Sequence, residues 1–510
     1  MFEDVDTYGQ IVVDRDNFRG RRKIIINASY DEFIADQKAV IAENLDAIES
    51  EHNKNVNEMI YLYRYYCGIQ EILKKVAKDG SSINNISCTN YAHEIIEFKK
   101  GFIVGKPIKY VNTEPETSDD MKYLLKYINK VKKKSKDLNK YENLFITGLA
   151  YTFTIPSRKD YDSEKDSPFE HSVISNLHTS MIYSSDVDNK RLFSLYRSKT
   201  KNEDGVEEIT YTAYYNYKCL IFKKKDKNEL EVIKEQDISI EQPITEYERS
   251  QSRMGVFEPV LSALDSCNLI RSNQLDNIEQ FVNAYLIFLN QDPKFFTQQV
   301  FNDLKKNRVI ALKTNNPQAP ADVKLLQNSL EHSDINSFYN NQKQDLFNIV
   351  GVPMATSNTG QGVSGEAQNF GGGWETAQAR ASVETTYISQ FEQEDLEKFI
   401  YICNDGANPK TKNLDVDEIE IKYTINKSNN LLTKMQSFKY WIDMGGTWER
   451  GLELCDLTED SYVVGKESEE HLRQVEEREI ELEVRKETEI EKAKANLQPQ
   501  TTNEQDITEE

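Results

Sequence analysis

Two glycine-containing stretches of this chain have residue types that bind phosphates in other proteins. The first is GFIVGKP, from Gly101 to Pro107. A phosphate-binding P-loop needs four residues between its glycines and a Ser or Thr after the lysine, because that hydroxyl binds the magnesium ion. Only three residues separate these glycines and Pro107 follows Lys106, so this motif is excluded. We predict instead a helix that ends at a glycine, followed by a strand that the proline introduces.

The second stretch is GQGVSG, in which Gly360, Gly362 and Gly365 have the G-x-G-x-x-G spacing of dinucleotide-binding loops. Such a loop follows a buried strand and precedes an acidic residue about twenty positions further on. The residues before this stretch have the period of an amphipathic helix instead, so the spacing alone supports nucleotide binding only weakly. Ser364, in GVSGE, also lacks the G-x-S-x-G spacing of a nucleophile elbow.

Histidine and cysteine, the residues that most often bind transition metals, are scattered along the chain. The histidines show no HExxH or His-x-His spacing, and the six cysteines include no CxxC pair. We therefore expect mostly surface histidines, no zinc site, no disulfide framework and synthesis in a reducing cytoplasm. A hydrogen bond on a helix face explains the four-residue spacing of His93 and Glu97. No catalytic constellation emerges, so we expect neither an enzyme nor a bound cofactor.

The charge of the chain limits its possible partners. Its 510 residues carry a formal net charge of −22, whereas sequence-independent DNA-binding proteins usually show a basic footprint. Lysine runs at 130–136 and 223–227 could contact nucleic acid. In so acidic a chain, a solvated surface or pairing with acids of a neighbouring subunit is the favoured interpretation. The chain has no run of eighteen apolar residues and no signal-peptide pattern, so we expect no membrane partner.

The first half of the chain predicts an α+β protein in which helices dominate. We expect an extended arm at 1–28 and a helical block from 29 to 105, with breaks near Asn53 and around 78–85. A further helix is expected from 121 to 149. Between 150 and 240, stretches rich in β-branched and aromatic residues alternate with polar turns, which is typical of antiparallel hairpins.

The stretch from Val256 to Trp374 is the most informative part of the sequence. Two segments, which begin near Val256 and Ser329, have apolar residues at three- and four-residue steps and predict amphipathic helices. Between them, two short apolar runs flank a turn that contains proline and asparagine. After the second helix, VPMATSNTGQGVSGEAQNFGGGW contains six glycines, which predict a loop. A long helix then begins at Trp374.

In this order the segments resemble the stem, clip, stem, tunnel loop and wing helix of portal proteins from long-tailed double-stranded DNA bacteriophages. The stretch NYAHEIIEFKKGFIVGKPIKYV resembles the early helix of that family and its turn into a strand. The stretch EPVLSALDSCNLIRSNQLDNIEQFVNAYL is similar to the start of the family's stem. Near the C-terminus, EIEIKYTINKSNNLLTKMQSFKYWIDMGGTWERGLELCDLTED resembles the strand and crown helices that close the fold. The order and spacing of these stretches, across about residues 20–490, carry the resemblance.

The resemblance implies a mainly helical, multi-domain portal fold with a β-rich hairpin insert, which assembles as a ring. The glycine-rich loop is longer than the loop expected in this family, and its sequence AQNFGGGWETAQARA does not match the family's usual Asn-Phe-x-Gly-Asn-x-Ser-Gly motif. The implied parts are an N-terminal arm (1–28), a wing (29–255, with hairpins at 150–240), a stem helix (256–290), a clip (291–328), a second stem helix (329–351), a tunnel loop (352–373), a long wing helix and strand (374–426), a crown (427–465), and a charged C-terminal helix with a disordered tail (466–510).

The resemblance also implies a function. We expect a homo-oligomeric ring of twelve subunits at one capsid vertex of the virion, made in the host bacterial cytoplasm. Double-stranded DNA would pass through it without sequence specificity. The implied protein partners are the terminase large subunit, head-tail connector or adaptor proteins, and the major capsid and scaffolding proteins.

Three groups of residues are implied to act at the channel and at its outer end. The residues expected nearest the DNA in the tunnel loop are Gly360, Gln361, Gly362, Ser364, Gly365, Asn369 and Phe370. The residues expected to dock partners at the clip are Thr314, Pro317, Gln318, Pro320 and Asp322. A sparse basic ring in the channel would consist of Lys305, Lys306 and Arg308.

Two other classes of protein remain compatible with the sequence. One is another virion structural protein, such as an adaptor or a minor head protein, although adaptors are usually much smaller chains. The other is a cytoplasmic enzyme with an unrecognised motif. A ring with an axial hole in electron micrographs would favour the portal interpretation, and a compact monomer would oppose it.

Overall fold

A computed structural model of the chain describes most of its residues. The described ranges are 20–77, 82–112, 118–157, 166–201, 207–225, 229–282, 286–289, 294, 297–300, 302, 318, 320, 322–325, 332–354, 373–405, 411–425, 431–455, 457–458 and 461–495. The chain divides into two compact units, Met1–Asn426 and Lys427–Glu510.

The first unit contains both helices and strands. Its helices are α1 (Tyr30–Ala35), α2 (Gln37–Tyr66), α3 (Tyr91–Ile103), α4 (Ser118–Lys130), α5 (Lys133–Thr147), α6 (Leu261–Val282), α7 (His332–Val350) and α8 (Trp374–Asn404). Its strands are β1 (Ile24–Ile25), β2 (Lys109–Asn112), β3 (Leu149–Pro156), β4 (Phe169–Ile174), β5 (Thr179–Tyr183), β6 (Arg191–Lys201), β7 (Glu207–Tyr215), β8 (Lys218–Lys224), β9 (Leu230–Asp237), β10 (Ile244–Glu248), β11 (Leu286–Leu289), β12 (Asp322–Leu325) and β13 (Ile419–Lys422).

The β-rich region contains the hairpins that the sequence predicts. The strands from β5 to β9 follow one another in a six-stranded sheet, and each neighbouring pair in this run is antiparallel. A second, three-stranded sheet has the order β10-β3-β4, so β10 extends the β-rich region beyond residue 240. Helix α2 packs on the larger sheet and buries Ile41 and Leu45 in the same cluster as Phe193 and Phe222.

The end of the predicted N-terminal arm packs against the rest of the first unit. Strand β1 pairs in parallel with β5, and Ile24 and Ile26 are buried. The side chain of Arg21 is also buried, where it forms ion pairs with Glu58 and Glu258. Residues 20–28 of the predicted extended arm are therefore packed against this unit, and residues 1–19 lie outside the described residues. The apolar run Ile24–Ile26 completes a sheet edge, which provides partners for its backbone N–H and C=O groups.

Two predictions about helix boundaries are wrong. Helix α2 runs through Asn53 without a break, because its apolar residues on both sides, among them Ile48 and Val56, remain buried in the core. The predicted helix from 121 to 149 is two helices. Lys132 interrupts it with a left-handed backbone (φ 55°), and α5 ends at Gly148 (φ 84°), where a Cβ atom would lie 2.3 Å from the carbonyl oxygen of Arg253.

The GFIVGKP stretch has the predicted structure. Helix α3 ends at Ile103, and β2 begins two residues after Pro107. A Cβ atom on Gly105 would lie 2.3 Å from the carbonyl oxygen of Gly101, so a side chain has no room there. Strand β2 then pairs with β13, which follows the long helix α8.

The first predicted stem helix ends earlier than position 290. Helix α6 ends at Val282, and Leu286–Leu289 forms β11, which pairs antiparallel with β12. The sequence of β11, Leu-Ile-Phe-Leu, fits a strand as well as a buried helical turn, and its pairing with distant residues decides between them. The prolines expected to form the clip turn precede β12, and the second strand of this hairpin is Asp322–Leu325.

The second unit consists of three described helices, α9 (Leu431–Asp443), α10 (Trp448–Leu454) and α11 (Ser461–Ala495). Phe438 and Trp448 meet edge to face, with ring centroids 5.3 Å apart. The indole of Trp441 lies over Gly446, where an added Cβ atom would be 2.2 Å from the ring. Helix α11 begins five residues before the predicted start at 466. Across both units, the described helices include none with the length and apolar character of a membrane span.

Candidate functional site at the α6–α7 pair and the base of the glycine-rich loop

Helices α6 and α7, the two predicted stem helices, pack against each other. The guanidinium of Arg271 on α6 lies over the ring of Tyr339 on α7, with Cζ 4.1 Å from the ring centroid. The Gln274 amide donates to Asn336 Oδ1 across the pair at 3.2 Å. Buried apolar residues complete the contact, so these two segments, separated by the predicted clip, form one helical unit. These buried residues are Leu264, Cys267, Leu346 and Phe347.

A second face of α6 binds the backbone of residues 85–89. Polar side chains at four-residue steps along α6 accept hydrogen bonds from every second N–H group of this segment. The pairs are Thr89 N to Asn268 Oδ1 (2.7 Å), Ser87 N to Ser272 Oγ (2.9 Å) and Asn85 N to Asp276 Oδ1 (2.6 Å). The spacings match because four helical residues advance about 6 Å and two extended residues about 6.6 Å. None of the sequence predictions includes this contact, although the four-residue repeat of short polar side chains on α6 is its signal.

Aromatic side chains join the α6–α7 pair to α3. The hydroxyl groups of Tyr91, at the start of α3, and Tyr339 are 2.6 Å apart. The ring of Tyr91 also meets Phe347 edge to face, with centroids 5.5 Å apart. The Lys343 ammonium lies 5.1 Å from the centre of the Tyr91 ring. The helix pair is therefore held against the helical layer rather than standing free of it.

The end of α7 is bound by a side chain from α8. Gly351 takes a left-handed backbone (φ 71°) immediately after the helix. The guanidinium of Arg380 donates to the carbonyl oxygens of Asn348 (2.9 Å) and Ile349 (2.5 Å) in the last turn of the helix, and the Asn348 oxygen also accepts from the N–H group of Gly351 (3.2 Å). A Cβ atom on Gly351 would lie 2.8 Å from Cδ of Arg380, so glycine permits this approach.

The two ends of the glycine-rich loop lie side by side. Gly373, before α8, has a left-handed backbone (φ 79°), and a Cβ atom there would be 4.0 Å from the Cα of Pro353. Trp374 packs beside Phe98 and Phe102 of α3, at centroid distances of 6.0 and 6.1 Å. The described residues on both sides of the loop therefore form a fixed base from which the chain leaves and to which it returns.

Helix α8, which starts at this base, is bound to α5 by buried charges. The Glu392 carboxylate is fully buried and accepts from the ammonium groups of Lys133 (2.8 Å) and Lys140. Burial alone would raise the pKa of Glu392, but the two lysine charges outweigh it and hold that pKa well below its usual range. Asp137 shares both lysines. This cluster therefore has two cations and two carboxylates.

A neighbouring carboxylate binds α8 to the three-stranded sheet. Asp395 accepts hydrogen bonds from the hydroxyls of Thr152 on β3 and of Thr245 and Tyr247 on β10, at 2.6–3.0 Å. Because its three partners stand on two adjacent strands, the helix is fixed in rotation and in register against the sheet. One turn apart, Glu392 and Asp395 thus connect the helix after the loop to two different elements of the first unit, helix α5 and the three-stranded sheet.

The lysine runs have different environments. Lys133, in the run at 130–136, is buried in the Glu392 cluster, so the prediction of a solvated surface is wrong for it. In the second run, the ammonium groups of Lys223, Lys224 and Lys225 pair with acids of the same chain. Those acids are Glu208 for Lys223, Asp46 and Glu49 for Lys224, and Glu229 for Lys225.

Two histidines are exceptions to the predicted surface positions. His52 and His171 are buried, and burial is the first cause that lowers the pKa of each to about 4. His93 packs on Tyr66, with ring centroids 4.9 Å apart, while Glu97 accepts from the Tyr66 hydroxyl and from Lys100. All six cysteines are free thiols. Within the described residues, no group of three or more His, Cys, Asp or Glu side chains could hold a metal ion.

A comparison with protein families identifies the chain. The family model described as "Phage portal protein, SPP1 Gp6-like" matches residues 45–447 of 510. The chain belongs to this family. Portal proteins of this family are structural components of the phage capsid and act in DNA packaging. A comparison with curated proteins found no match to the chain.

The portal match includes every element of the candidate site. It covers the α6–α7 pair, the loop between α7 and α8, all of α8 and the whole of α9, and it ends before α10. The order of these segments resembles portal proteins, and this resemblance is confirmed at the level of the family. Helix α11 lies outside the matched residues.

Most of the site residues predicted for a portal fall outside the described residues. This holds for the tunnel-loop residues Gly360, Gln361, Gly362, Ser364, Gly365, Asn369 and Phe370, for the clip residues Thr314 and Pro317, and for the basic residues Lys305, Lys306 and Arg308. Three predicted clip residues are described. Gln318 lies in a turn, Pro320 follows it, and Asp322 is the first residue of β12, paired with Leu289.

Proposed function

We propose that this protein forms a ring at one capsid vertex and that DNA enters and leaves the capsid through its centre. The observation that carries the proposal is the portal-family match over 45–447, which spans the paired helices and the loop between α7 and α8. In this proposal, α6 and α7 are the stem, 291–328 contains the clip, and 352–373 is the tunnel loop. Twelve subunits are the number that the family resemblance implies.

The α6–α7 pair supports side-by-side assembly. Leu275 and Ile278 on α6, and Phe338 on α7, are large apolar side chains exposed in the single chain. Exposed apolar surface of this kind marks contact sites between proteins. In a closed ring, each subunit would present one face of the pair to the next subunit, and such head-to-tail contacts would cover these side chains.

The acidity of the chain suits a channel through which DNA slides. Twelve subunits at −22 each would carry −264 in total. DNA has about one negative charge per 1.7 Å of its axis, and basic side chains hold it through phosphate contacts and counterion release. An acidic lining would repel the duplex from all sides and so avoid adhesion. In this proposal, Lys305, Lys306 and Arg308 form at most a sparse basic ring near the clip.

The base of the loop supports its role as the element that contacts DNA. Arg380 and Gly351 fix its first end, and Trp374 fixes its second. We propose that the loop projects into the channel, with Gln361, Ser364, Asn369 and Phe370 nearest the duplex. Its glycines permit backbone changes at little steric cost. The clip residues around Pro317 and Pro320 would lie at the outer end, where the terminase large subunit and later the connector proteins dock.

Electron microscopy of the purified protein tests the ring. We expect particles with an axial hole, and their number should fall at high salt if ion pairs hold neighbouring subunits together. Mass photometry at micromolar concentration should give one species at an integral multiple of the subunit mass. Monomers alone at moderate salt would contradict the proposal and would favour another kind of virion protein.

Deletion of residues 359–369 tests the loop. This variant should assemble into rings and procapsids, because the base of the loop at Gly351 and Trp374 remains. It should package or retain less DNA than the intact protein, as measured by the length of DNA protected from nuclease. Replacing the same residues with a Gly/Ser segment of equal length is the matched control for loop length. Normal packaging by both variants would show that the loop does not contact DNA.

A further inference from the structure

A groove beside the loop base has no occupant among the described residues. It has a volume of about 610 Å³ and lies between the end of α7, the first turns of α8, and the segment 249–259 that links β10 to α6. Its inner wall contains buried Val256 and Val350. Its rim contains Ile349 and Val383, which are 57% and 73% exposed. Apolar side chains thus face an open cavity large enough for several side chains of another segment.

The groove is positively charged in a strongly acidic chain. Its lining includes Lys99, Arg249 and Arg380 but one carboxylate, that of Glu384. Glu384 pairs with Lys99 at 3.2 Å and with Arg249 at 3.1 Å. Arg380 donates to backbone carbonyls instead. The lining therefore has two positive charges in excess, which favours an acidic occupant.

The first described residue of the chain contacts the segment 249–259 at residues that lie between those lining the groove. The N–H group of Gly20 donates to Glu258 at 3.1 Å, and the N–H group of Arg21 donates to the carbonyl oxygen of Arg253 at 3.0 Å. A Cβ atom on Gly20 would lie 2.1 Å from the carbonyl oxygen of Ser252. Gly20 is thus pressed against the segment 249–259, which also lines the groove. Residues 1–19 must leave from this point.

The sequence of residues 1–19 has the chemistry that the groove would bind. MFEDVDTYGQIVVDRDNFR contains the apolar run Ile11–Val13 between two acidic stretches. Its five carboxylates are those of Glu3, Asp4, Asp6, Asp14 and Asp16, against two arginines. Nineteen extended residues can span about 60 Å, so the groove lies well within reach.

We propose that residues 1–19 dock in this groove of their own chain, with Ile11–Val13 against Val256, Val350 and Val383. The acidic residues on either side then face Lys99, Arg249 and Arg380. Docking covers the exposed apolar rim at Ile349 and Val383 and supports the end of α7, where the loop begins. This proposal goes beyond the ring function and does not depend on it.

Hydrogen–deuterium exchange of the full chain and of a variant that lacks residues 2–19 tests the docking. Deletion should speed the exchange of amides at 349–354 and 379–387, which border the groove, and leave those of β6 and β7 unchanged. A labelled peptide of residues 1–19 should bind the shortened variant and restore the slower exchange. Equal exchange in both proteins, with no binding of the peptide, would overturn the proposal.

A matched pair of substitutions locates the binding site. Val383→Asp, in the groove, should weaken peptide binding by at least about tenfold, since it adds a negative charge and removes an apolar contact. Val187→Asp, at an exposed valine in the turn before β6 that does not line the groove, should leave binding unchanged. Equal binding by the two variants would overturn the groove as the site. If the amides that border the groove exchanged slowly only at concentrations where subunits associate, docking within one chain would be overturned. Mass photometry of the same samples reports ring formation separately.

Discussion

The two longest helices of the chain differ in what surrounds their charged residues. Helix α8 has 31 residues and α11 has 35, and both are rich in glutamate. In α8, Glu384, Glu392, Asp395 and Lys398 are buried and paired with neighbouring elements. In α11, the glutamates from Glu467 to Glu489 are exposed, and so are Ile480, Leu482 and Val484. Similar residue types thus form a core helix in one case and a solvent-exposed helix in the other.

The difference shows that partners, rather than charge content, decide whether a charged helix is buried. A charge removed from water must regain an equivalent interaction inside the protein. Helix α8 meets this condition because α5 supplies Lys133 and Lys140, and the strands β3 and β10 supply hydroxyl groups. Helix α11 has no comparable partners among the described residues of its own unit. Its charges therefore stay solvated, and its apolar residues stay exposed with them.

The largest expected effect is the loss of the buried carboxylate on α8. Glu392→Gln should lower the free energy of unfolding by about 3–5 kcal/mol, because two buried lysines would then share Asp137 alone. Thermal or urea unfolding of the purified variant would measure the change. Glu477→Gln on α11 is the matched control and should unfold like the original protein. If the two variants had equal stability, the Glu392 cluster would not stabilise the fold.

A smaller effect per residue is expected from pH. His52 and His171 have pKa values of about 4 in the folded chain, against 6.5 for an exposed histidine, so the unfolded chain binds more protons between these values. The contribution of each histidine to the free energy of unfolding should therefore be fully present above about pH 6.5. It should be lost as the pH decreases towards 4, by up to about 3 kcal/mol for each histidine.

Urea unfolding between pH 7.5 and 4.5 measures this slope. His171→Gln should reduce it, since one proton-linked group is removed. His471→Gln, on the exposed helix α11, should leave the slope unchanged. An identical pH dependence in all three proteins would contradict the assignment of His171 as a buried neutral histidine that responds to acid.

The smallest expected effect is the difference in stability loss between alanine substitutions at two helix ends, one in each unit. Gly351 ends α7 and Gly445 follows α9, and both have a left-handed backbone (φ 71° and 86°). Alanine at either position should cost about 1–3 kcal/mol of backbone strain. Gly351→Ala should cost more, because its Cβ would also displace Arg380, whereas nothing lies within 4 Å of a Cβ at Gly445. Equal losses in thermal unfolding would show that the Arg380 contact adds no constraint.

Sequence patterns predicted the elements whose signals are local. The hairpins between 150 and 240 follow from alternating β-branched and aromatic residues, the turn after α3 from Gly105 and Pro107, and α6 and α7 from apolar residues at helical spacing. The order of these segments also led to the portal family. In each case the residues that specify the structure are close together in the chain, so the pattern contains the information.

Tertiary contacts decided the features whose partners are distant. The Lys133 side chain has the sequence context of a solvated run, and its burial depends on Glu392, some 260 positions later. Leu286–Leu289 is a strand because Asp322–Leu325 pairs with it. Likewise, Arg380 reaches the end of α7 across the whole loop. The sequence by itself determined the class of fold, the succession of elements and the family. The tertiary structure alone decided which charges are buried and how the loop base is fixed, because those interactions form only when residues far apart in the chain meet.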